Sequence, residues 1–340
     1  MKKTLLVLAA AAACASAAQA QSTVQVTGLT DVYIGSMKNP GDAGRTNGVN
    51  SGGMTTSWIG FQGSEDLGGG LKANFMLNGF FRGDTGTPGR YTNDPFFSRD
   101  AFVQLSGNFG GVLLGRTKSP NFLPTILFNP FGDSFTFAPL VLHQNVPLFN
   151  ASGWKGTNPS DTGWANQVVY STPSFGGLKA NLHYQFGEQA GNNGKKNVGA
   201  NVMYNSGPLG LTAFYEDVGM SDPNPAVLPD GRKNWMLGAS YDFNVVKLMG
   251  TYGQTKGKTD GYKGKTASLG ATIPLAANSR ILAAWAQTKL DATDAKRNTV
   301  SVGYNYDLSK RTDAYAILMY DKITNFGNGT SFGVGIRHRF

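Results

Sequence analysis

The sequence is short of the groups on which most soluble enzymes rely. It holds one cysteine, Cys14, and three histidines, His143, His183 and His338. Cys14 falls in a segment that export would remove, so disulfides, thiol-linked haem and zinc-thiolate sites are excluded for the exported chain. Charged residues make up 15% of the chain, against roughly 25% in an ordinary soluble domain. Beyond Gln21 no run reaches the roughly 18 apolar residues that mark a membrane-crossing helix. The one G-x-S-x-G match, Gly329 to Gly333, lies in an alternating segment and not at a strand-to-helix elbow, which argues against a hydrolase. No cofactor is expected.

Residues 1–20, MKKTLLVLAAAAACASAAQA, combine Lys2 and Lys3, an apolar run and Ala18-Gln19-Ala20. This is the pattern of a secretory signal, expected to be cleaved after Ala20 and to leave 21–340 as one domain. Cys14 lacks the leucine three positions earlier that a lipoprotein signal carries. Without Lys2 and Lys3 the formal charge falls from +9 to +7. Its basic residues are scattered along an exported chain, which excludes nucleic acid as a partner.

Glycine and alternation are what the chain has in abundance: 46 of 340 residues are glycine, and 11% are aromatic. Period-two segments recur from end to end, which predicts strands with two different environments. LKANLHYQF (178–186) sets Leu178, Ala180, Leu182, Tyr184 and Phe186 against Lys179, Asn181, His183 and Gln185. The apolar parity often ends in an aromatic, as at Tyr204, Tyr241, Tyr304 and Phe340, where a membrane–water interface favours such rings. About 16 such segments can be counted. Short turns such as SGNFGG and PSFGG alternate with long polar connections such as GSMKNPGDAGRTNGVNSGGM. The fold predicted is all-β, a 16-stranded antiparallel transmembrane β-barrel, closed so that every backbone N–H and C=O is paired. The last segment, SFGVGIRHRF, is then expected to pair with the first.

One connection breaks the rule. Residues 119–163 carry Phe122, Phe128, Phe131, Phe135 and Phe137, with Asp133 and Lys155 as the only charged side chains apart from Asp161 near the end. A solvated loop would be polar, so this one is expected to fold into the lumen.

The segments GSEDLGGGLKA (63–73), LSGNFGGVLLGR (105–116), NPFG (129–132), TPSFGG (172–177), LSKRTDAYA (308–316) and the terminal GVGIRHRF together resemble the trimeric general porins of Gram-negative β-proteobacteria. The resemblance implies a homotrimer in the cell outer membrane and passive diffusion of small hydrophilic solutes and ions. It also implies a third loop narrowing the channel and a terminal Phe340 read by the barrel-assembly machinery. Outer-membrane lipids and lipopolysaccharide would be its surroundings. Inward parity nominates Trp58, Gln62, Lys72, Arg82, Asp100 and Arg116 as wall residues of the constriction, opposed by Asp133 and His143 of the loop. The chain departs from these relatives where Trp58 and Gln62 replace cations and where Asp100 stands at a position that is basic in some. The anion selectivity of those relatives therefore does not simply carry over, and the expectation is a neck less cationic and more aromatic. Two other readings stay open: a channel preferring small, even aromatic, organic acids, and a structural or adhesive barrel.

Overall fold

The computed structural model describes residues 23–146, 162–188, 190–191, 196–220, 231–259 and 261–340. Residues 1–20, expected from the sequence to be an export signal, and residues 147–161 of the connection from β6 to β7 lie outside the described residues. Among those described, seventeen strands form a single antiparallel sheet: β1 (Thr23–Met37), β2 (Thr46–Ser51), β3 (Trp58–Gly68), β4 (Leu71–Phe80), β5 (Asp100–Gly107), β6 (Gly110–Lys118), β7 (Gly163–Ser171), β8 (Leu178–Gln185) and β9 (Asn197–Ser206), then β10 (Leu209–Val218), β11 (Arg232–Asp242), β12 (Lys247–Gly257), β13 (Lys263–Ala276), β14 (Ser279–Leu290), β15 (Lys296–Asp307), β16 (Thr312–Ile323) and β17 (Gly329–Arg339). Two short helices, α1 (Phe122–Leu127) and α2 (Pro139–Asn145), interrupt the connection from β6 to β7.

Seventeen strands make sixteen staves. The upper part of β1, Val32 to Met37, pairs with β2, and its lower part, Thr23 to Leu29, pairs with β3. β2 and β3 are thus one stave broken at 52–57. The sequence pattern places Thr46–Ser51 in a long polar loop, and the structure makes it strand. TNGVNS has no apolar parity to betray it, and Thr46 to Val49 are exposed on both faces of the strand.

Closure follows from β17, whose register on β1 runs from Leu29↔Arg339 to Ser36↔Phe332. Phe340 adds one further rung: its N–H donates to Gly28 O (3.1 Å), and its C=O accepts from Gly28 N–H (3.0 Å). Its ring is exposed beside His338.

The two parities separate cleanly. On β15 the outward Val300, Val302, Tyr304 and Tyr306 are exposed, while the inward Arg297, Thr299, Ser301 and Asn305 are buried and polar. Exposed apolar side chains on strand after strand are what a hydrocarbon solvent requires. The buried apolar side chains collect elsewhere. Phe131, Phe137, Ala138, Val141 and Leu142 of the loop pack against Tyr33, Leu282, Ala284, Tyr315, Ile317 and Met319 of inward parity. Fully buried Phe131 and Phe137 together contribute about 3–6 kcal/mol to this docking.

If this face meets lipid, Val302→Lys in the middle of β15 destabilises the barrel by about 2–4 kcal/mol, whereas Val302→Leu is neutral. Folding titrations into lipid vesicles measure the difference; equal stability of the two variants would place Val302 away from hydrocarbon.

Candidate functional site

The loop begins where Pro120 and Asn121 meet the wall. Asn201 Nδ2 donates to Pro120 O (2.8 Å), and the buried Glu216 carboxylate accepts from Asn121 N–H (2.9 Å) and Nδ2 (3.3 Å). Then α1 gives way to the NPFG turn. There Asn129 Oδ1 accepts Phe131 N–H (2.8 Å), Asn129 Nδ2 donates back to Thr125 O (2.7 Å), and Gly132 takes φ +56°. An Asn side chain that replaces a backbone turn partner is what makes so short a reversal stable. The Pro130 ring fits over Gly270 of β13, where a Cβ would fall 2.5 Å from Pro130 Cδ. Further along, Ser301 Oγ donates to Phe137 O (2.7 Å) and Arg297 Nη1 to Leu142 O (3.0 Å). His143 on α2 is clasped between the hydroxyls of Thr288 and Thr299, each at 2.8 Å. Every wall partner named has inward parity, from β9 round to β15, so the segment lies against the inside of the sheet.

Its far side meets the break in the second stave. Asp31, fully buried on β1, accepts Met54 N–H (2.7 Å) and Thr55 N–H (2.8 Å) at one oxygen and the Tyr315 hydroxyl (2.5 Å) at the other. These bonds hold 52–57 as an inward bend instead of a continuous strand. The bend offers its own groups to the loop: Ser134 Oγ donates to Gly53 O (2.6 Å), Thr136 Oγ1 to Gly52 O (2.8 Å), and Thr55 Oγ1 to Asp133 Oδ1 (2.7 Å). Arg337, held by Asp313 (3.1 Å), donates in turn to Thr55 Oγ1 (2.8 Å).

Between the loop and the wall of β1 to β6 remains an opening of about 470 Å³. Arg82, Asp84, Arg90, Arg99 and Lys118 reach it from the wall side, while Phe122, Asp133 and Phe135 reach it from the loop. The cations stand in front and their carboxylates behind. Asp100 binds Arg99 (3.1 Å) and Lys118, with Thr117 Oγ1 donating at 2.9 Å. Its side chain has no exposed surface, whereas Arg99 and Lys118 keep 19% and 24%. Asp94, also without exposed surface, holds Arg90 at 2.8 Å. Burial opposes the Asp94 charge, but the hydrogen bonds and charge of Arg90 prevail and hold its carboxyl below the usual carboxylate range. Arg90 lies over Phe80 (4.7 Å to the ring centre) and Arg99 over Trp58 (4.0 Å), the cation–π geometry. Arg82 Nε is buried and lacks a hydrogen-bond partner among the described residues.

The expectation of a cation-poor neck is therefore not met. Trp58 and Asp100 do stand beside the opening, but each serves the same cation, Trp58 as the platform under Arg99 and Asp100 as its counter-ion. Reading positions 58 and 100 alone misses Arg90, Arg99 and Lys118. Arg82 and Asp133 line the opening. Arg116 is buried, its Nε donating to Ser98 O (2.7 Å), and His143 belongs to the loop's anchorage. Gln62 lies four residues down β3 from Trp58, roughly 13 Å away, and Lys72 eight residues down β4 from Phe80, roughly 27 Å away. Both belong to the end with short turns. Among the described residues no group of three or more His, Cys, Asp or Glu could hold a metal ion.

Similarity to known proteins runs the length of the chain. A family profile described as Gram-negative porin matches residues 7–325. Outer membrane porin protein 32 of Delftia acidovorans is 34% identical over 367 aligned residues, covering all of both chains. An outer membrane porin protein of Bordetella pertussis is 30% identical, again over the whole of both. Among solved structures, an anion-selective porin from Comamonas acidovorans is similar with a TM-score of 0.78 and 29% identity, over 94% of this chain and 100% of its own.

Anchorage of the loop carries a pH dependence. Burial, with Arg297 adding repulsion, pushes the His143 imidazole well below its usual range. Above about pH 6.5 the ring is neutral whether docked or free; below it the free ring takes a proton that the docked ring refuses, so docking weakens as pH falls. The wild-type barrel should lose resistance to thermal unfolding between pH 7 and pH 5 with a slope of up to about 1.4 kcal/mol per pH unit from this residue. His143→Gln should be flatter over that interval, and parallel slopes for the two proteins would remove His143 as the cause.

Proposed function

Because this chain belongs to the Gram-negative porin family, an outer-membrane family of channels for passive solute diffusion, we propose that its neck favours small anions. The observation that carries this reading is the layering of charge at the opening: basic groups at the lumen surface, with the carboxylates that pair them buried one layer back. A permeating ion meets the nearer layer first. In a neck walled by low-dielectric protein that difference in depth is only partly screened, so the near charges dominate the potential the ion feels. The opening itself carries four bases, Arg82, Arg90, Arg99 and Lys118, against two acids, Asp84 and Asp133, so its nearer layer is net positive. The Comamonas porin is itself anion-selective, which accords with this reading. Preference for small organic acids with an aromatic ring is a narrower version, suggested by Phe80, Phe81, Phe122 and Phe135 around the same opening.

The homotrimer belongs to this proposal as well, as do lipopolysaccharide as a neighbour and the barrel-assembly machinery as a reader of Phe340. Phe340 combines an edge position, backbone bonds to Gly28 and an exposed ring, the features of a residue available to another protein before the barrel closes.

Two measurements follow. Reversal potentials in a salt gradient across planar bilayers should show anion preference for the wild type, and Arg82→Glu should lower the anion-to-cation permeability ratio by roughly fivefold or more, as expected for reversing one charge near an ion in high dielectric. A cation-selective wild type, or a ratio indifferent to Arg82→Glu, would contradict the reading. Deleting Phe340 should reduce the amount of folded barrel in the membrane while leaving the conductance of each assembled channel unchanged; normal yield would separate Phe340 from assembly.

A further inference from the structure

The guanidinium groups at the neck are held by their faces. Arg99 lies over the Trp58 ring, its central carbon 4.0 Å from the ring centre. Arg99 lines the opening and Trp58 does not, so the cation lies between the indole and the lumen. Two bonds fix where this side chain leaves the sheet: the Arg99 backbone N–H donates to Asn78 O (3.1 Å), and Nη1 donates to the buried Asp100 carboxylate (3.1 Å). Arg90 repeats the attitude. It lies over Phe80 (4.7 Å) and Tyr91 (5.2 Å), and its Nε and Nη2 donate to the two oxygens of Asp94 (2.9 and 2.8 Å). Selection by charge does not need this arrangement: a lysine would bring the same charge to the lumen with no ring beneath it.

A guanidinium can hold an anionic solute in two ways. Its N–H edge forks onto a carboxylate, and its flat face stacks on a π-system. At Arg90 the forked edge is already taken by Asp94. At Arg99 the indole covers one face, and the opposite face is presented to the opening. That face has no N–H to donate, so it offers a chloride ion or an aliphatic acid charge alone, and offers a flat conjugated ring laid parallel to it charge and stacking together. The carboxylate of such a solute has partners in the same opening. Lys118 stands beside Arg99 there, both held by Asp100. Arg82 also lines it, with a buried Nε that has no hydrogen-bond partner among the described residues. The acids of the opening, Asp84 and Asp133, repel a carboxylate and so favour its basic side.

We propose that Arg99, stacked on Trp58, is a specificity-determining group for planar aromatic carboxylates: the solute ring lies on the open face of the guanidinium, and the solute carboxylate pairs with Lys118 or Arg82. Ring, guanidinium and indole then form one stack. Trp58 touches no solute and acts as a positioning residue that keeps the guanidinium flat against the wall. The inference rests on the reading of the neck as anion-favouring and goes beyond it, because telling apart two acids of equal charge needs a shape that charge does not supply. Apolar contact with Phe122 and Phe135 cannot be the source of that discrimination, since it accepts a flat ring and a puckered ring of the same carbon number alike.

The test uses the purified barrel in planar bilayers, with chloride carrying the current and either benzoate or cyclohexanecarboxylate added as blocker. The two acids share charge and ring size, and only benzoate is flat and aromatic. Dissociation constants come from the concentration dependence of the block. Wild type should bind benzoate about tenfold more tightly than cyclohexanecarboxylate, the order of a cation–π contact in a partly desolvated site. Arg99→Lys keeps the charge and removes the plane, so the ratio of the two constants should fall to within about twofold of one. Trp58→Ala should lower the ratio in the same way, and Trp58→Phe should restore most of it. A merely structural role for Trp58 would weaken both acids together and leave the ratio alone. If Trp58→Ala yields no folded barrel, Arg99→Lys decides the matter. Equal block of wild type by the two acids, or a ratio unchanged in Arg99→Lys or Trp58→Ala, would overturn the proposal and leave an anion preference seen in reversal potentials standing. A cation-selective wild type blocked by neither acid would overturn both readings.

Discussion

Everything in this molecule depends on backbone hydrogen bonds that must be satisfied without water. In the hydrocarbon layer an unpaired N–H or C=O costs several kcal/mol, and only a sheet closed on itself leaves none. Closure by β17 on β1 then dictates the rest. A sixteen-stave ring is too wide for wall side chains to fill, so the lumen is wet, the inward parity is polar and the outward parity is apolar. A chain that obeys this has no ordinary core. What stands in for one is the inner loop, whose phenylalanines bury themselves against one sector of the wall, and whose polar groups are pinned to that wall on one side and to the bend at 52–57 on the other.

The pinning depends on an irregularity in the sheet. A strand that ran straight through 52–57 would present no groups to the loop. Asp31 prevents this by drawing the Met54 and Thr55 amides inward, and Tyr315 completes its coordination. The bend then supplies the carbonyls of Gly52 and Gly53 and the hydroxyl of Thr55 as partners for Thr136, Ser134 and Asp133. One buried carboxylate thereby links the closing strands, the broken stave and the loop that narrows the channel. The same device, a buried acid behind a functional group, recurs at the neck, where Asp100 and Asp94 fix the cations that face the lumen.

Period-two patterning made the barrel legible because both environments are extreme: hydrocarbon outside, water inside. It failed where that contrast is absent. Thr46–Ser51 extends a stave with both faces exposed and carries no apolar parity, so it reads as loop. Asp31 reads as an inward polar residue like many others, since nothing local tells a solvated carboxylate from one that organises three donors. At the neck, inward parity drew attention to Trp58 and Asp100, but Arg99 reaches the lumen because it precedes β5 in a connection where alternation does not hold. One signal was present and is informative in retrospect. β14 and β16 read ILAAWA (281–286) and AYAILMY (314–320), apolar on both parities, unlike the strands that face water. Leu282, Ala284, Ile317 and Met319 belong to the sector on which Phe131 and Phe137 dock. Doubly apolar strands in an otherwise alternating barrel thus locate the loop's landing place.

The central claim is that charge depth, with four bases at the opening and the carboxylates of Asp94 and Asp100 buried behind them, makes the neck a place where anions dwell. Diffraction from crystals soaked separately in bromide and in rubidium salts tests it most directly, through the anomalous signal of each ion. The account predicts a bromide peak in the opening within contact distance of Arg82, Arg99 or Lys118, and no rubidium there. Rubidium beside Asp133 or Asp84, with bromide absent from the neck, would contradict it.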